Sequence, residues 1–210
     1  MTTRALFVSL ACVTTIPGAA LASDSTPLLL EVSSGNISFE VGTNVPGVEV
    51  KGKASELSAS VQAEASADGL VLRQMEAAVP VRSLSTGMKV RDEHMQKYIF
   101  TTPDGQMPDV IFSADGGACK FAGSNRDLSC RLSGNLKIRG VSHAVSINVI
   151  AKQQNAKAFR ATLDTTVKLS DFNIEAPSQF GVKTSNDVKL HFEFIAREAV
   201  SAVTAARTGK

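Results

Sequence analysis

Met88–Ala114 reads MKVRDEHMQKYIFTTPDGQMPDVIFSA, and it changes character three times. Arg91-Asp92-Glu93-His94 is a dense charged knot, and Met95, Tyr98, Ile99 and Phe100 follow at mostly helical spacing. Pro103-Asp104-Gly105 then forms a turn: Pro presets φ, Asp bonds its own backbone and Gly accepts a positive φ. Pro108 leads into an apolar run, Val110-Ile111-Phe112, that reads as a strand. This is the one helical interruption in a chain that otherwise alternates with a period of two. A short helical insertion near residues 92–99 therefore covers part of a β-structure.

Upstream, Ile37, Phe39 and Val41 alternate with Ser38, Glu40 and Gly42, a half-buried strand. Leu57–Ala63 alternates again, Ala67-Asp68-Gly69 is a hairpin signal, and Leu70–Val81 is a long β run with Pro80 near its end. Downstream, Ser129–Ile138 is followed by a turn at Gly140. Val145, Ile147 and Val149 then share one face, and Gln153-Gln154-Asn155 reads as a polar turn. Phe159–Val167 alternates strongly, an irregular piece covers 170–174, and Leu190, Phe192 and Phe194 share a face of the last strand. The pattern predicts an all-β fold of about eight antiparallel strands. A closed barrel of eight strands has room for a small ligand, and a sandwich is the alternative.

The chain of 210 residues suffices for one well-cored domain. Residues 1–22 read as a signal peptide that is removed. Arg4 is the single charge, an apolar run follows, and Ala20-Leu21-Ala22 fits a cleavage site. Cleavage takes Cys12 away and leaves Cys119 and Cys130. In a periplasmic or secreted protein such a pair reads as a disulfide, with two buried free thiols as the alternative. A hairpin turning between Ser124 and Asn125 sets the two cysteines directly opposite each other, near the separation that a disulfide needs. Residues 198–210 are Ala-rich and read as a frayed tail.

Charge excludes more than it suggests. Lys plus Arg is 22 and Asp plus Glu is 20, with no basic block, so nucleic acid is not an implied partner. His94, His143 and His191 are too scattered for a metal set. No nucleotide loop and no nucleophile elbow appears. Asp92 and His94 are the residues an acid–base enzyme would use. The plainer reading gives Asp92 a helix-capping role and pairs Arg91 with carbonyls or a carboxylate at the rim. Phe39, Val41, Phe112, Leu136, Ile138, Val145, Ile147, Val149, Phe192 and Phe194 lie on single faces of their strands. They are packed core in a sandwich and cavity lining in a hollow barrel.

Three segments together resemble the YceI-like family: Val90-Arg91-Asp92-Glu93-His94-Met95, then Pro108-x-Val110-Ile111-Phe112, then Gly134-Asn135-Leu136-Lys137-Ile138-Arg139-Gly140-Val141. The resemblance spans roughly residues 26–197. Ile37, Phe39 and Val41 also fit the family's first strand, while Thr43 stands where many members carry a His. The resemblance implies a lipocalin-like antiparallel barrel exported to the bacterial periplasm. It also implies a long isoprenoid lipid, a polyprenyl phosphate or a quinone tail, held non-covalently inside. On this reading the ten apolar residues above line the cavity, and Arg91 and His94 are head-group candidates. There is no catalysis, metal or cofactor. The alternatives are a small exported hydrolase-like enzyme using Asp92 and His94, or a ligand-free barrel serving as a stress-response or interaction module. A transient membrane-protein partner and a homodimer are compatible with the chain.

Overall fold

The computed structural model describes residues 27–123, 127–155 and 157–199, apart from the side chains of Ser33 and Ser34. Its strands are β1 (Pro27–Thr43), β2 (Glu49–Ala54), β3 (Ser58–Ser66), β4 (Gly69–Val79), β5 (Leu84–Ser85), β6 (Val110–Ala114), β7 (Gly117–Ala122), β8 (Asp127–Ile138), β9 (Val141–Asn155), β10 (Ala158–Lys168), β11 (Ser178–Gln179) and β12 (Val182–Glu198). Helix α1 spans Lys89–Met95 and runs into a π-helical turn, Gln96–Phe100. The signal-peptide segment, the Ser124–Asn125 turn and positions 200–210 lie outside the described residues.

All the ladders are antiparallel, and β1 closes the sheet by pairing with β12 on one edge and with β3 and β2 on the other. The chain forms an eight-strand barrel of lipocalin-like type. β6 and β7 share one position in the wall between β4 and β8. Closure matters physically, because β1 is paired along both edges instead of ending the sheet.

Several local signals act where the sequence places them. The β3–β4 hairpin turns at Ala67-Asp68. Arg139 and Gly140 both adopt positive φ, 50° and 80°, between the paired Ile138 and Val141. Two consecutive positive φ values define the type I′ turn that matches strand twist. The polar run Gln153–Asn155, by contrast, continues β9 rather than turning: Gln153 pairs with Phe159 and Asn155 with Ala158. Polar residues are no obstacle to a strand whose side chains face water, as these three do. β12 likewise runs through Glu198, and the Ala199 N–H donates to the Leu29 carbonyl, so order extends past the expected start of the tail.

Cys119 and Cys130 are ladder partners joined by a disulfide, with Cα atoms 3.9 Å apart. They belong to a packed cluster that fills one end of the barrel, together with Leu30, Ala63, Leu72, Leu128, Leu132 and Ala151. At the opposite end Ile138, Leu169, Phe172 and Ile174 pack with Ile99 and Phe100 of the π-helical turn. Phe172 is 1% exposed. Both ends are plugged, and the space between the plugs is the site.

Candidate functional site: an apolar cavity inside the barrel

Alternation places one face of each strand inside. Leu57 and Ala59 approach from β3 and its lead-in, Met75, Ala77 and Val79 from β4, and Val110 and Phe112 from β6. Leu136, Val145 and Ile147 come from β8 and β9. Leu163, Thr165 and Val167 come from β10, and Leu190, Phe192 and Phe194 from β12. These residues enclose a void of about 90 Å³ as swept by the centre of a water-sized sphere. One water needs roughly 10–15 Å³ on that scale, so the core is not packed shut. Thr165 is the one polar residue in this lining. Nothing in such a wall can bind an ion or orient a polar substrate, whereas an apolar chain loses only its contact with water.

A slender void follows from the side chains chosen. Ala59 and Ala77 are short, while the rings of Phe112, Phe192 and Phe194 line the other strands. A sequence profile of the YceI-like domain matches residues 30–196. The chain belongs to the YceI-like domain family. Comparison with curated proteins gives no match. Three solved structures share the fold. BcnA of Burkholderia cenocepacia is 20% identical, covers 77% of this chain and 95% of its own, and superposes with a TM-score of 0.59. A polyisoprenoid binding domain from Saccharophagus degradans, implicated in plant cell wall breakdown, is 15% identical, with coverages of 82% and 99% and a TM-score of 0.61. The Campylobacter jejuni YCEI protein is 23% identical, with coverages of 75% and 90% and a TM-score of 0.56.

Within this YceI-like barrel the ten apolar residues chosen from sequence separate into two groups. Phe112, Leu136, Val145, Ile147, Phe192 and Phe194 border the void. Ile138 and Val149 are buried in the two end plugs, and Val41 is buried in β1. Phe39 packs with Ile37, Ala54 and Leu84 and borders a separate, polar depression. The sequence reading missed Leu57, Ala59, Met75, Ala77, Val79, Val110, Leu163, Thr165, Val167 and Leu190. All but Leu57 sit at strand positions whose alternation was available; what was missing was how far along the barrel each strand's void-facing stretch begins.

The charged knot lies outside this lining. Asp92 does not cap α1 from its N-terminus; the N-cap is Met88, which makes no side-chain cap. Asp92 is inside the helix and reaches back toward β5. The Ser85 hydroxyl donates to Asp92 Oδ2 at 2.8 Å, and the Thr86 N–H and hydroxyl donate to Oδ1 at 2.6 and 2.5 Å. Burial opposes the charged form, but the Thr86 and Ser85 hydrogen bonds and the adjacent Arg91 outweigh it and hold the carboxyl below its ordinary range. Arg91 donates from Nη2 to the Thr86 carbonyl at 2.9 Å, while its Nε is buried without a partner. His94 meets Tyr98 edge-on, ring centres 5.7 Å apart. This arrangement ties the cap to the wall.

Proposed function

We propose that this YceI-like protein is an exported carrier that holds a long isoprenoid-type lipid, a polyprenyl phosphate or the tail of a quinone, inside its barrel for transport or storage, without catalysis. The observation that carries this reading is the void between the two end plugs, walled by aliphatic and Phe side chains. Each methylene withdrawn from water there contributes about 0.8 kcal/mol before ordering costs, so a branched C5 repeat needs no polar contact to be held. The polyisoprenoid binding domain of Saccharophagus degradans shares the fold and supports the same ligand class. The disulfide fits an oxidising compartment, and the leader-like residues 1–22 give the route there. A membrane-protein partner would load or unload the carrier transiently, and a homodimer remains compatible with this role.

Arg91 is the head-group candidate favoured by geometry, because its unpartnered Nε is a donor in a half-buried setting. His94 is the second. An enzyme built on Asp92 and His94 is disfavoured because both Asp92 oxygens already accept hydrogen bonds from Ser85 and Thr86.

The test is organic extraction of the protein purified from its own cells, followed by mass spectrometry. A prenyl lipid at near one per barrel is the expected result. A ligand-free extract, together with no uptake of an added prenyl alcohol, would overturn the carrier reading and favour an interaction module.

A further inference from the structure

The barrel wall is not continuous. Between β9 and β10 the ladder runs from Asn155 opposite Ala158 only as far as Ile150 opposite Thr162. Beyond that point, among the described residues, Val141–Val149 and Leu163–Lys168 form no pairs with each other. Each strand nevertheless keeps its ladder on the far edge, β9 with β8 from Ala151 to Val141 and β10 with β12 from Ala158 to Lys168. Had the register continued, Thr165 would face Ile147 and Thr166 would face Ser146. The two strands instead run on without a shared ladder.

The unpaired stretch falls where the void lies. Val145 and Ile147 border the void from one lip of the seam, and Leu163, Thr165 and Val167 border it from the other. The outer faces of the lips carry exposed polar residues, Ser146 and Asn148 on β9 and Asp164 and Thr166 on β10. At the capped end a wedge of chain packs against both strands. It is the 3-10 turn Leu169–Phe172, whose buried Phe172 ring meets His143 of β9 edge-on at 5.9 Å. His143 Nε2 also lies 3.5 Å from Asp171 Oδ2. The seam is thus a slot, bounded by the ladder at Ile150–Thr162 on one side and by this wedge on the other.

An unpaired pair of strand edges is normally sealed by its own hydrogen bonds, since free N–H and C=O groups must otherwise be left to water. Both ends of this barrel are closed by packed side chains, whose opening would expose the Leu128 and Phe172 clusters. The seam has no backbone ladder to break. We infer that an apolar chain enters and leaves the cavity sideways, through the β9–β10 seam, beside the Leu169–Phe172 wedge. This inference rests on the lipid-binding reading of the cavity.

The test joins the lips on the folded protein. A Ser146→Cys/Thr166→Cys variant is linked with a short bismaleimide, and uptake and release of the fluorescent apolar probe N-phenyl-1-naphthylamine are followed by stopped flow. A Thr166→Cys/Lys189→Cys link spans the paired β10–β12 ladder instead and serves as the control. Linking the seam is expected to slow both uptake and release by about tenfold or more, as a closed gate does, at unchanged equilibrium occupancy. The control link changes neither rate. Normal rates in the seam-linked protein would overturn the lateral passage while leaving the carrier reading intact. If the unlinked protein takes up no probe, the carrier reading itself falls, and the passage with it.

Discussion

The ring of Phe112 lies across the backbone of Gly134 on the neighbouring strand: a Cβ at Gly134 would come within 2.8 Å of Phe112 Cζ and would also meet the Ser113 carbonyl. Glycine is what lets the aromatic ring lie flat along the wall instead of crossing the void. Phe39 over Gly52 repeats the relationship on the β1–β2 pair. Gly134→Ala is expected to destabilise the protein by about 1–3 kcal/mol, the usual cost of overpacking, and to weaken probe binding as the ring is pushed inward. Urea unfolding and a probe titration measure the two effects. Retained stability with unchanged affinity would refute this packing account.

Filling the void from the strand beside Phe112 separates binding from folding. Ala77 is the ladder partner of Phe112 and borders the cavity. Ala77→Phe is expected to lower probe occupancy by about tenfold, equivalent to about 1.4 kcal/mol, as the added ring takes the ligand's space. Circular dichroism should show the β-structure unchanged. Tight probe binding by this variant would place the ligand elsewhere.

The disulfide should contribute little for its type. Cys119 and Cys130 are separated by only 11 positions, so the closed loop is short. The double substitution Cys119→Ala/Cys130→Ala is expected to cost roughly 2–3 kcal/mol from the lost cross-link, with some added loss from the two buried sulfurs. Urea unfolding of the oxidised parent against the variant is the check.

Asp92 gives a pH signature with a definite sign. Its carboxyl is held below the ordinary value of 3.8 in the folded chain. The tether to Ser85 and Thr86 is therefore at full strength above that value and is lost as pH falls through the lower folded value. Asp92→Asn should lower Tm at neutral pH and flatten the decline of Tm below about pH 4 that the parent shows. Parallel Tm–pH profiles for parent and variant would expose the wrong sign.

Arg91→Gln tests the head-group assignment. The variant is expected to weaken retention of a prenyl phosphate more than that of the matching prenyl alcohol, because only the phosphate gains from a guanidinium. Equal loss for both, measured by competition with the fluorescent probe, would make Arg91 purely architectural.

Much of this was readable from the chain alone, and for a local reason. Period-two alternation fixes which face of a strand is apolar, so Phe112, Leu136, Val145, Ile147, Phe192 and Phe194 could be assigned inward before any strand was placed beside another. Turn chemistry worked equally locally at Asp68-Gly69 and Arg139-Gly140, and the cysteine register followed from hairpin symmetry. Where the signal was ambiguous, as in the polar residues Gln153–Asn155, the chain kept its strand because water and a ladder both satisfy such a backbone.

The tertiary structure decided whether an inward residue meets packed neighbours or open space. Val149 and Ile147 are two residues apart on the same face and both belong to the buried cluster of the disulfide end, yet only Ile147 borders the void. No pattern within β9 separates them, because the difference is set by what lies across the barrel. The same holds for Met88–Ala114. Its charged knot and its helical spacing were plain in sequence. Asp92 ties back to Ser85 and Thr86 nearby in the chain, but that Ile99 and Phe100 plug the barrel end depends on distant segments, Ile138 and Leu169–Ile174, meeting there.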